Sequence, residues 1–170
     1  VSILYFADRI YQFPLGMTLA PGRRSALAEW AHRRNGLVVE DDYDGEFRYD
    51  RQPVGAMQGL APDRVVYAGT ASKTLAPGLR ISWLAVPPDL TDAVVESKGY
   101  PDAHPGALDQ LVLADLLSSG AYDRHVRQSR TRYLTRRNRL VAVLAEKAPG
   151  VRVVGAAAGL RAVLELPGQG

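Results

Sequence analysis

The 170-residue chain has no cysteine, three lysines, two tryptophans and three phenylalanines. Without cysteine there is no disulfide framework, no thiolate metal site and no sulfur nucleophile. No apolar run approaches the roughly 18 residues that a membrane span needs. The start, from Val1 to Phe6, lacks the basic head and long apolar stretch of a secretory leader, so no membrane contact and a cytoplasmic location are expected. The three histidines, His32, His104 and His125, follow no ligand spacing, and each is expected to be structural or exposed; no metal site is expected. Charge of one sign is also scarce. The net charge is +3, and the basic excess sits in the last 70 residues, with seven arginines between Arg124 and Arg139. That is too mild and too local to call for a nucleic-acid partner in this segment.

What is present is a balanced globular composition, 46% hydrophobic and 23% charged. Pro21 opens an expected helix that Asn35-Gly36 closes, with Leu27, Trp30 and Ala31 at helical spacing. Short apolar strands are expected over Val1–Phe6, Leu37–Val39, Arg64–Gly69 and Ile81–Val86. Helices follow over Leu90–Lys98 and Leu108–Leu117. A long one is expected from about Tyr122 to Ala148, stopped by Pro149-Gly150. On it, Tyr133, Leu140 and Leu144 are expected to mark the buried stripe, with Arg124, Arg127, Arg130 and Arg137 on the solvated face. Two more short strands complete the chain, Val151–Val154 and Leu160–Leu166. Alternating helix and strand in the first 90 residues predicts an α/β fold with a mainly parallel sheet. The break at Pro149-Gly150 divides the chain into 1–150 and 151–170.

Two clusters could do chemistry. Lys98 and Lys147 sit among polar helix neighbours, whereas Lys73 follows a buried strand among Gly69, Thr70, Ala71, Ser72, Leu75, Ala76, Pro77 and Gly78. An ammonium partly desolvated there would have a lowered pKa, which suits an amine nucleophile or a Schiff-base lysine. A loop lysine or a phosphate contact remains an alternative. The order of Ser72 and Lys73 excludes a Walker loop. Thr70, Ser72 and Arg80 still form a candidate anion cradle. In the second cluster, Glu40, Asp41, Asp42, Asp44 and Glu46 put five acids into seven residues. A calcium loop is excluded because Arg51 stands where a bidentate glutamate is required. A magnesium site would lack a phosphate motif. What remains is one strand-end acid that faces a cleft and pairs with a cation, since ligands in open α/β sheets bind at the carboxyl ends of strands. Asp44 and Glu46 are expected only to solvate the loop.

Val66-Tyr67-Ala68-Gly69-Thr70-Ala71-Ser72-Lys73-Thr74-Leu75-Ala76-Pro77-Gly78-Leu79-Arg80 resembles the cofactor-lysine motif of fold-type-I aminotransferases, which use pyridoxal 5'-phosphate. Val39-Glu40-Asp41-Asp42-Tyr43-Asp44-Gly45-Glu46-Phe47-Arg48-Tyr49 resembles that family's upstream motif. The Asp41-Asp42-Tyr43-Asp44 spacing and the segment Tyr122-Asp123-Arg124-His125-Val126-Arg127 are similar to the aminotransferase-like domain of MocR/GabR-type regulators. The resemblance covers roughly residues 11–170. It implies a fold-type-I large domain, present in part over 1–150, and the start of a small α+β domain over 151–170. It implies Lys73 as the Schiff-base residue and proton shuttle, Asp41 as the partner of the pyridine nitrogen, and Tyr43 as donor to the ring oxygen. Ser72, Arg80 and Thr70 would hold the phosphate. It further implies an amino acid or amine as substrate or effector, and a homodimer in the full-length family. Phe13 stands where related aminotransferases carry an asparagine, and residues 1–10 match poorly. The upstream phosphate turn, the ring-stacking aromatic, the carboxylate-gripping arginine and the winged helix of the regulators are absent from these 170 residues. A fragment with weak or no turnover is therefore expected. The alternatives are an effector-sensing domain without its winged helix, or a non-catalytic remnant.

Overall fold

The computed structural model describes residues 4–6, 19–49, 55–99, 106–155 and 158–168. Its main sheet has four strands in the order β1 (Leu4–Phe6), β2 (Leu37–Asp42), β3 (Val65–Thr70) and β4 (Ser82–Ala85). The β1–β2 and β2–β3 pairs are parallel, as the alternation of elements predicts. The β3–β4 pair is antiparallel. Its connection is too short for the crossover of a dozen or more residues that a parallel return requires, so the chain folds straight back.

Helix α1 (Pro21–Arg34) begins with proline in its first turn, where the missing N–H costs no hydrogen bond. It ends at Asn35, whose left-handed backbone (φ 48°) lets Gly36 N bond to Ala31 O at 2.8 Å. The helix closes one face of the sheet. Ala28 and Ala31 meet Val38 of β2, Val65 of β3 and the intervening Met57 and Ala61, flanked by Leu27 and Trp30. Small residues on α1 bring its backbone close to the first residues of β2 and β3.

Helices α2 (Thr91–Gly99), α3 (Ala107–Ser118) and α4 (Ala121–Lys147) follow. The buried stripe of α4 is Tyr122, Val126 and Ser129, continued by half-buried Tyr133. It thus lies nearer the N-terminus than expected; of the expected positions Tyr133 and Leu144 are half-buried and Leu140 is exposed. The reason is what the helix packs on: its first three turns cover the loops after β2 and β3, not a second apolar layer. Arg130, expected in solvent, is drawn into the same contact, and Arg137 is half-buried. On α3 the half-buried positions are Leu113 and Leu116, while Leu108, Leu111 and Val112 face outward. A two-stranded antiparallel ribbon, β5 (Arg152–Val154) with β6 (Val163–Glu165), ends the chain. Ala158 bridges Arg48, and Gly159 N donates to Phe47 O at 2.8 Å.

Gly69, at the end of β3, lies under the Trp83 indole of β4. A Cβ there would meet Trp83 Nε1 at 2.4 Å and Cε2 at 2.5 Å. Gly69→Ala should therefore force the indole off β3 and cost about 1–3 kcal/mol, the usual range for overpacking. A lowered urea midpoint at unchanged slope is the expected result. An unchanged midpoint would mean that the indole moves aside freely.

Candidate functional site

The register of β2 and β3 sets the site. Asp41 pairs with Ala68 and Asp42 with Gly69, so both acids reach the carboxyl end of the sheet beside the end of β3. Successive side chains of a strand point to opposite faces. Glu40 and Asp42 therefore share one face with Val38, and Asp41 lies on the other, the face of Ala68 and Thr70.

On the α1 face both acids are engaged. Glu40 accepts from Met57 N at 2.7 Å and Gln58 N at 3.2 Å, and Arg24 stands 3.5 Å from its other oxygen. It joins α1, the end of β2 and the short turn at Met57–Gly59. Burial raises the Glu40 carboxyl above its ordinary 4.5, outweighing the two amides and Arg24. Asp42 accepts from Gly45 N at 2.9 Å, which shapes the turn after the strand, and from Tyr67 O–H at 3.2 Å. Burial, then the Asp42 carboxylate, raise the Tyr67 phenol, so it remains a donor. Asp41 is exposed at the strand end, and Tyr43 follows half-buried in the bend.

After β3 the chain makes a single helical turn, closed by Leu75 N to Ala71 O at 2.9 Å. Ala71 and Thr74, three residues apart, point inward and are buried. Lys73 sits on the outside of the turn and is exposed. The small neighbours of Lys73 thus do not enclose it among the described residues, contrary to the desolvated setting expected from the sequence. They are small enough to let the turn pack tightly, and too small to cover a four-carbon side chain.

Thr70 organises the cradle. Its hydroxyl lies 3.0 Å from Ser72 Oγ and 3.0 Å from Ile81 O, and Ser82 Oγ donates to it at 3.3 Å. Ser72 N also donates to Thr70 Oγ1 at 3.1 Å. Arg80 closes the same loop in the left-handed region (φ 52°), just after the Pro77–Leu79 turn. The structure therefore joins Thr70 and Ser72 directly, and places Arg80 and Lys73 in the same loop. Asp41 stands on the neighbouring strand end. Phe13 lies outside the described residues.

Several participants carry no sequence signal. Ser82 enters through the hairpin return of β4, and Tyr67 through the β2–β3 register. Glu46, expected to be merely solvated, is half-buried: Arg130 Nε donates to its carbonyl at 2.8 Å, and Tyr122 O–H lies 3.5 Å from its carboxylate. Asp44 is half-buried too, its carbonyl accepting from Phe47 N at 3.0 Å. His32 and His125 are structural, on Asp63 and on Thr74 O respectively; His104 lies outside the described residues. Among the described residues no helix is long and apolar enough to cross a membrane.

The model of the family described as aminotransferase class I and II matches residues 12–169. The chain is 37% identical over 165 residues to an uncharacterized HTH-type transcriptional regulator, YhdI, of Bacillus subtilis strain 168, covering 96% of this chain and 35% of that one. It is 41% identical over 144 residues to the probable rhizopine catabolism regulatory protein MocR of Rhizobium meliloti, covering 82% and 29%. The crystal structure of kynurenine aminotransferase from Pyrococcus horikoshii, in complex with PMP, superposes with a TM-score of 0.86 at 32% identity, over 98% of this chain and 42% of that one. The chain thus spans about a third of the length of these curated relatives.

Glu40 gives the site a pH signature. Because its folded pKa stands above 4.5, the folded state holds this proton more tightly than the unfolded chain does. That contribution to stability is complete below pH 4.5 and is lost as pH rises through the raised folded value. Glu40→Gln cannot titrate. The difference in denaturant midpoint between the native chain and this variant should therefore shift against the native chain as pH climbs through that window, and a pH-independent difference would refute it.

Proposed function

The chain belongs to the class I and II aminotransferases, and from that premise we propose that it is the part of an aminotransferase-type domain that holds pyridoxal 5'-phosphate, with Lys73 as the point of covalent attachment. One observation carries this. A strand-end acid, a primary amine on a tight turn, a bonded cluster of hydroxyls and a guanidinium all lie on the segments that leave the carboxyl ends of two adjacent parallel strands.

The donor set suits the cofactor group by group. Thr70 and Ser72 offer hydroxyls and Arg80 a fork of N–H donors to a phosphate dianion. Asp41 offers a carboxylate to a protonated ring nitrogen. Asp42, one residue on, is the poorer candidate because Tyr67 and Gly45 already bond its two oxygens on the other face. Tyr43 would donate its phenol to the ring oxygen. Lys73, on the outer side of its turn, would hold the cofactor at its aldehyde carbon, with loss of water; once an incoming amine has displaced it, its freed Nζ would be the base that takes and returns a proton at the substrate's α-carbon. When bound, the cofactor supplies the electron sink that makes that α-proton acidic.

Substrates are amino acids or amines, and the working unit is a homodimer completed by residues outside these 170. Residues 151–170 begin a smaller second domain. Similarity to HTH-type regulators favours a second use of the same site, in which amine chemistry senses an effector without turnover. In either use the 170-residue chain alone is a weak catalyst.

Borohydride treatment of the chain incubated with pyridoxal phosphate should fix the cofactor on the peptide containing Lys73. Equal labelling of Lys98 and Lys147 would reject the assignment. Asp41→Ala should slow the half-reaction with an amino acid by about 10- to 100-fold, the loss expected for one charge-assisted hydrogen bond of about 1.5–3 kcal/mol. Asp42→Ala should act mainly on stability. The reverse order of sensitivity would move the ring partner to Asp42.

A further inference from the structure

The first three turns of α4 touch both functional loops, through side chains that the proposed chemistry does not use. Buried Tyr122 donates its O–H to Thr74 Oγ1 at 2.9 Å, and Thr74 in turn donates to Ala71 O at 3.3 Å. His125, one turn on, donates from Nε2 to Thr74 O at 2.8 Å. A carbonyl only accepts, so this bond fixes the ring tautomer. Thr74 is itself only 2% exposed, and it adjoins Lys73. Two turns further along the helix, Arg130 Nε donates to Glu46 O at 2.8 Å. Tyr133 meets Phe47 edge to face, with ring centroids 5.1 Å apart. Glu46 and Phe47 close the loop that leaves β2 after Asp41.

We propose that Tyr122 and His125 are positioning residues for Lys73, and that α4 acts as a clamp: one end holds the Lys73 turn through Thr74, and the next two turns hold the loop after Asp41. The clamp rests on the assignment of Lys73 as the cofactor lysine. It extends that assignment to residues that reach no cofactor atom. A helix is rigid over two or three turns, so contacts made from one helix fix the offset between the two loops more firmly than either loop could alone. Burial raises the Tyr122 phenol, which keeps it a donor through the neutral range. The outward placement of Lys73 also follows, because Thr74 is pulled inward at both its hydroxyl and its carbonyl, and the residue before it must face out.

The test compares the native chain with Tyr122→Phe, His125→Ala, His125→Gln, Thr74→Val and the double variant Tyr122→Phe/Thr74→Val. Without cofactor, amide hydrogen exchange is followed at Leu75, which bonds to Ala71 O, and at Val65 and Val66 in the core. Tyr122→Phe and His125→Ala should speed exchange at Leu75 by about 5- to 10-fold, the loss expected for one hydrogen bond, and leave the core amides unchanged. With pyridoxal phosphate, the rate at which borohydride fixes it on Lys73 should fall in the same two variants at unchanged Tm. His125→Gln, whose amide can still donate to Thr74 O, should restore most of it. The double variant should be no worse than Thr74→Val alone, because that substitution already deletes the Tyr122 bond along with the Thr74 bond to Ala71 O. Native exchange at Leu75 in both Tyr122→Phe and His125→Ala would overturn the clamp, as would additive losses in the double variant. Absence of Lys73 labelling in the native chain would instead overturn the cofactor assignment, and the exchange measurements would still decide the clamp.

Discussion

The parallel pairing of β2 with β3 is the constraint on which everything else depends. Two motifs about 30 residues apart in sequence become neighbours because Asp41 is level with Ala68 and Asp42 with Gly69. A slip of one residue would exchange the faces of all three acids at the end of β2. The register is held by burial on the α1 face, where Val38 and Val65 pack with Met57 and the two alanines of the helix. It is held again at the strand end, where Tyr67 of β3 reaches Asp42 of β2. The apolar core and the polar site are therefore coupled: the same alternation that buries Val38 sends Asp41 to the side of Thr70.

That alternation explains why three consecutive acids have different surroundings. Glu40 is half-buried and bonded to backbone amides and Arg24, so it secures the end of the strand against α1. Asp42 shapes the following turn and accepts from Tyr67. Asp41 alone faces the side on which the Thr70 hydroxyl cluster lies. A dense acidic run reads as one feature in sequence, yet a strand divides it by face. Only the even and odd positions, placed against known core residues, separate structural acids from the one suited to a cation.

Much of the fold was legible. Apolar runs marked all six strands of the described residues, Pro21 and Asn35-Gly36 bounded α1, and Pro149-Gly150 marked the end of α4. The two motifs fall, as expected, at the ends of β2 and β3. What remained hidden were relations between segments distant in sequence. The direction of β4 depends on the length of its connection. The burial of α4 depends on what lies beneath it: Tyr122, Val126 and Ser129 share one face with Tyr133, Leu140 and Leu144, and periodicity alone could not tell that only the first three are fully covered. The exposure of Lys73 depends on a turn that only Leu75 N and Ala71 O define. Local composition suggested an enclosed amine. The turn geometry instead buries its neighbours and presents it outward.

Arg80 carries the last part of the argument, because its backbone is strained where glycine would be at ease. A left-handed conformation costs a non-glycine residue roughly 1 kcal/mol or more. Gly78 lies two residues away, outside that region, so the loop spends its glycine elsewhere and places a guanidinium at the strained position. The surrounding bonds are enough to impose this. Ala71 N and Thr70 Oγ1 both bond to Ile81 O at 3.0 Å, so the residue next to Arg80 is tied to the end of β3 from two sides. With the return fixed at Ile81 and the Pro77–Leu79 turn before it, Arg80 links the two in the left-handed region. Strain of this kind persists where the surroundings over-determine it, and here it falls on the cation that the phosphate assignment needs.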